Sequence, residues 1–209
     1  MPTKKVPSDR LIQIFDTFSP ATVKYKDIFD MKEFYTALKF WLHEYGWTDD
    51  FKNSPSNEWF EKYYSERHTG SVKEVRIWWR LAKQAPGSTK LKYYIDMNFH
   101  CIALGSAEII RDGQKIKTNK GEVELKIFGS IEKLYEKEFE EDKLLGMIKS
   151  FFTKRIYDGY LSESKKELYQ EIYVLQNFIK QWFKLTRYLT YEEAKSFHPS
   201  QAWPSHLKS

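Results

Sequence analysis

Residues 89–103 alternate. Leu91, Tyr93, Ile95, Met97, Phe99, Cys101 and Ala103 occupy every second position, with Lys92, Tyr94, Asp96, Asn98 and His100 between them. A period of two over this length suits an extended strand with one buried face, because a helix gathers residues three and four apart instead. Neighbouring strands are legible on both sides. Upstream, Val72–Gln84 puts Val75, Ile77, Trp79 and Leu81 on one face and Arg76, Trp78 and Arg80 on the other. Glu58–Arg67 reads as its hairpin partner across a His68-Thr69-Gly70-Ser71 turn, and Ala85-Pro86-Gly87-Ser88 forms the next turn. Downstream, Asp112-Gly113 is a strong two-residue hairpin signal. Gly105 predicts a bulge or bend, and Asn119-Lys120-Gly121 a further turn or bulge. Val123, Leu125, Ile127 and Ile131 form the inner face of the last strand.

Helical periods flank this block. After a short strand around Val23 and Tyr25, Asp30 and Glu33 form an acidic capping box. The helix 31–45 follows, with Met31, Phe34, Tyr35, Leu38, Trp41, Leu42 and Tyr45 as an apolar stripe and Gly46 at its C-terminal cap. Tyr135 to about Tyr157 reads as helix. Ser164 and Glu167 form a second capping box, followed by Leu168, Ile172, Leu175, Ile179 and Trp182 at four- and three-residue steps. Thr190 and Glu193 cap a short helix before a Pro-bearing tail. Clustered strands, not alternating with helices, define an α+β chain: an antiparallel sheet of four to five strands, an N-terminal helix packed on it, and C-terminal helices. The expected organisation is an extended arm over 1–20, one domain over 21–188 (sheet part 21–131, helical part 132–188), and a short helix with a frayed tail over 189–209.

Composition narrows the class. A chain of 209 residues that is 41% hydrophobic and carries 7 Trp, 14 Tyr and 15 Phe can build a sizeable core. No apolar run is longer than Cys101–Leu104, against the ~20 residues of a membrane-spanning helix. Polar residues from Asp9 to Asp16 interrupt any signal-peptide apolar segment. One cysteine permits no internal disulfide. The expectation is a soluble, cytoplasmic protein without a cofactor.

The net charge of +5 is concentrated: residues 72–130 hold 11 Lys/Arg against 6 acids, which is the whole excess. The outward row reads Arg76, Trp78, Arg80, then Lys92 and Tyr94, with Lys126 and Phe128 nearby. Aromatics interleaved with cations suit single-stranded nucleic acid, where rings stack bases and cations meet phosphates. A solvated strand face, or one covered by C-terminal helices or a second subunit, has the same pattern, and no RNA-binding or zinc-finger motif accompanies it.

Chemistry-bearing motifs are few. Asp96 and His100 share a strand face and could serve as two metal ligands or an acid–base pair, although same-face neighbours stand ~6.6 Å apart and these two are farther still. Cys101 falls on the apolar face, where a lone cysteine acts as a small hydrophobe. There is no Gly-x-Ser-x-Gly elbow and no Gly-rich phosphate loop, so no catalytic residue is named.

The stretches "VKYKDIFDMKEFYTALKFWLHEYGW", "GSVKEVRIWWRLAKQ" and "EIIRDGQKIKTNKGEVELKIFGSIEKLYEKEFE" resemble an uncharacterised family of small proteins from small-genome archaea, over roughly residues 22–185. The resemblance implies a helix, a hairpin, a Gly-turned strand pair and C-terminal helices in a cytosolic archaeal setting. It brings no activity. The function expected is a non-enzymatic interaction or scaffold module that self-associates. Its basis is an aromatic content (Trp78, Tyr94, Phe128, Trp182) beyond what one core needs. The alternatives are single-stranded nucleic-acid binding and a metal-dependent enzyme around Asp96 and His100.

Overall fold

A computed structural model describes residues 10–16, 18–49, 60–111, 114–135 and 158–184. The order of elements is β1 (Leu11–Gln13), β2 (Ala21–Phe29), α1 (Met31–Glu44), β3 (Thr48–Asp49), β4 (Glu61–Thr69), β5 (Val72–Gln84), β6 (Leu91–Arg111), β7 (Gln114–Lys133) and α2 (Asp158–Trp182). The class is α+β with an antiparallel sheet. The sheet has seven strands among the described residues, larger than the four to five expected. The extra strands are short segments that share margins. β1 and β2 both pair with β7, and β3 and β4 both pair with β5. Part of the expected extended arm, β1, thus joins the sheet, Ile12 opposite Ile131. Beyond Tyr135, the expected helix over 135–157 lies outside the described residues, as does the capped helix after Thr190.

β5, β6 and β7 form the centre. Arg111 stands opposite Gln114, and the expected Asp112-Gly113 turn lies outside the described residues. Val75, Ile77, Trp79, Leu81, Leu91, Tyr93, Ile95, Met97, Phe99, Cys101, Val123, Leu125, Ile127 and Ile131 form one buried face. The Asp30 side chain accepts the Glu33 backbone N–H at 2.9 Å and starts α1. Phe34, Leu38 and Leu42, at four-residue steps, have no exposed surface, and each contributes about 1.5–3 kcal/mol of burial. Tyr35, one position round from that stripe, meets the sheet: the Trp79 indole N–H donates to its hydroxyl at 2.8 Å. The two helices meet through stacked rings, Trp41 on Phe178 at 5.3 Å and Phe34 on Trp182 at 6.0 Å.

Two expectations change in detail. Ser164 does not cap a helix. It lies inside α2, which begins at Asp158, and it is buried toward the sheet beside the Tyr93 hydroxyl. A capping pattern shares its residue types with a helix interior, and here burial on the core-facing stripe prevails. The bulge lies at Ala103-Leu104, immediately before Gly105, with Ala103 at φ 51°. β7 runs unbroken through 119–121, and Gly121 stands opposite the bulge. A Cβ there would come within 2.9 Å of the Leu104 Cα and 3.0 Å of the Ala103 carbonyl oxygen, so glycine permits the close approach.

Candidate interaction surface

The opposite face of the sheet carries the residues singled out for binding. Register sets them in rows: Tyr63, Trp78, Asn98, Lys126 and Thr22 across β4, β5, β6, β7 and β2, and beside that row Ser65, Arg76, His100, Glu124 and Lys24. Arg80, Asp96 and Phe128 make the next row, and Ala82, Tyr94 and Ser130 the last. Strand alternation sends all of these side chains away from the helices.

Exposure divides this face. Tyr63 and Trp78 are about half exposed, whereas Tyr94 retains 2% of its surface. The Tyr94 ring has the Arg80 guanidinium 5.0 Å and the Lys92 ammonium 5.2 Å from its centroid, and its hydroxyl donates to the buried Glu132 at 2.7 Å. Tyr94 therefore offers no open ring for a base to stack on. Phe128 is half-buried opposite Asp96. Trp182, also counted among the surplus aromatics, stacks on Phe34 in the core.

The cations of the face meet acids. Arg76 donates twice to Glu74, at 3.0 and 2.8 Å, and His100 Nε2 lies 2.7 Å from the same carboxylate oxygen. These partners hold the Glu74 carboxyl below the ordinary glutamate range, the His100 hydrogen bond being the larger cause and Arg76 the next. Arg80 faces Asp96 at 3.5 Å, and Lys126 and Lys24 flank Glu124 at 3.6 and 2.9 Å. The basic excess in sequence becomes a mixed lattice in space, which weakens the field available to a polyanion. Asp96 and His100 have turned to different partners, Arg80 and Glu74. Among the described residues no three His, Cys, Asp or Glu side chains are placed to hold a metal ion.

Tyr63 and Tyr64, which sequence reasoning passed over, join Trp78 at the β4 margin, at 51% and 50% exposure. Their signal was adjacency: two neighbouring aromatics in a strand must point to opposite faces, so one of them lies off the core. Farther along, where Ala103 bends β6, a cleft of about 850 Å³ opens between Lys26, Val72, Ile102, Lys120 and Glu122. No protein-family model matches the chain, and no curated protein and no solved structure matches it. Among the described residues, no helix is long and apolar enough to cross a membrane.

Proposed function

We propose that this chain is a non-enzymatic, cytoplasmic interaction module that self-associates through the sheet margin where Tyr63, Tyr64 and Trp78 gather. The observation that carries this reading is the half-exposure of three large aromatic side chains at one margin, while most of the other aromatics in the described residues pack inward. Aromatic anchors within a polar rim are the usual centre of a protein interface, and Ser65, Glu66, Arg67 and Asn98 supply such a rim. The archaeal family resembled by residues 22–185 is the setting in which we place it. Sedimentation velocity over a hundredfold concentration range tests the reading. The expected result is reversible growth from the 25.1 kDa chain mass toward twice that value; a constant monomer overturns it.

A second reading, single-stranded nucleic acid on the same face, draws support from exposed Trp78 beside Arg76 and Lys126. Four phosphate contacts would give a log affinity against log salt slope near ~−3, at about −0.7 each. Loss of a stacked base on Trp78→Ala would cost ~1–3 kcal/mol. Titration of a labelled oligonucleotide at two salt concentrations separates the readings, since an interaction module gives no saturable binding. A metal-dependent enzyme around Asp96 and His100 draws least support, because each already has a charged or hydrogen-bonding neighbour.

A further inference from the structure

The two long margins of the sheet differ in how they are guarded. β2 carries Lys24 and Lys26 outward, 62% and 81% exposed, and its Thr22 carbonyl accepts the Gln176 side-chain amide from α2 at 3.1 Å. Edge lysines and a covering helix are standard protection against strand addition. β4 lacks such lysines from Tyr63 to Thr69: the run Tyr-Tyr-Ser-Glu-Arg-His-Thr contains no lysine and no proline, and among the described residues β4 pairs with β5 alone. An edge without lysine or proline, flanked by half-exposed Tyr63 on one face and Tyr64 on the other, is suited to receive a strand.

We infer that the strand it receives is β4 of a second copy, antiparallel, about a two-fold axis through Tyr64, joining the two sheets into one. This rests on the self-association proposed above and specifies its edge and register. The occupant is argued from self-complementarity. With the axis at Tyr64, the two Tyr64 rings meet on the helix-bearing face, and on the outer face each Tyr63 meets Ser65 of the other copy, large against small, beside Trp78. No like charges stand opposite. Moving the axis to Ser65 sets Tyr63 against Arg67, and moving it to Glu66 sets the two Glu66 carboxylates against each other. The bulge between Glu61 and Tyr63 limits the pairing to a short central segment, which suits a reversible dimer.

Cysteine cross-linking of the full chain tests the register. Directly opposed Cα atoms stand ~4.5–5.5 Å apart, within the ~4.4–6.8 Å that a disulfide spans, so Tyr64→Cys is expected to give a covalent dimer under mild oxidation. Arg67→Cys, three positions from the axis, leaves its two copies ~20 Å apart and is expected to give none. The native Cys101 is buried, and the unmodified chain serves as control. Tyr64→Lys puts like charges on the axis and is expected to weaken the dimer at least tenfold in sedimentation, with unchanged circular dichroism. A chain that is monomeric throughout leaves this edge to a strand of another protein and overturns both proposals. A dimer that neither links through Tyr64→Cys nor weakens with Tyr64→Lys overturns the β4 register alone.

Discussion

Trp78 and Tyr94 point to the same face from adjacent strands, yet Trp78 is 41% exposed and Tyr94 2%. That difference separates a residue available to a partner from one that holds the fold. Tyr94→Ala should cost ~3–5 kcal/mol, the range for truncating a buried ring, whereas Trp78→Ala should cost a fraction of that and act on association instead. Urea denaturation of the two variants, beside sedimentation of the second, checks the ranking. Equal losses of stability would remove the distinction.

A second test lies where α2 crosses β7. A Cβ at Gly129 would stand 2.3 Å from the Cδ1 of the fully buried Ile172. Gly129→Ala should therefore destabilise by ~1–3 kcal/mol through overpacking. Ile172→Val deletes the clashing methyl, so the double variant should be more stable than the sum of the single effects predicts. Strict additivity in denaturant titrations would show that α2 does not pack this closely.

Glu171 ties three distant segments together. Its Oε1 accepts the Trp47 indole N–H at 2.9 Å and the Lys83 ammonium at 2.7 Å, and the Lys83 Nζ lies 5.6 Å from the Trp47 ring centroid. Glu171→Ala leaves a buried indole donor without this acceptor, and ~1–3 kcal/mol of stability should be lost. Tryptophan emission should shift in the folded variant, because a polar partner of Trp47 is gone. An unchanged spectrum and midpoint would contradict the contact.

Alkaline pH should unfold the protein through groups that hold their protons more tightly when folded. Burial raises the Cys101 thiol from 9.0 to about 11. The hydrogen bond to Glu66, followed by burial, raises Tyr64 from 10.0 to about 12. Tyr35 and Tyr93 are raised as well, burial being the main cause in both. The folded state binds more protons at high pH, so this stability is complete below about pH 9 and is lost as pH rises through the folded values. Glu66, Glu74 and Glu124 are lowered from 4.5 by their hydrogen-bonding partners, and their contribution is lost as pH falls below that value. A flat stability profile from pH 8 to 11 would contradict the burial of Cys101, Tyr35 and Tyr93.

Much of the sheet was legible because its signals are local. The alternation through Tyr93, Ile95 and Met97 and the Asp30 cap each depend on residues within a few positions of one another, and each stands where the pattern placed it. Short margin strands escaped notice, since β1 and β3 are too brief to display a period. Ser164 misled because its neighbours in sequence resemble a helix start, while its neighbours in space bury it.

Amino-acid order alone determined which side chains face the helices and which face away, because side-chain direction alternates with backbone geometry and needs no distant contact. Tertiary structure decided which outward side chains stay open. Arg76 and His100 converge on Glu74, Arg80 turns to Asp96, and Tyr94 closes over Glu132. These pairings follow from the register of separate strands. Charge counted along the chain is blind to register, so a run rich in lysine and arginine folded into a face whose cations lie beside acids, and the half-exposed aromatics emerged at the β4 margin.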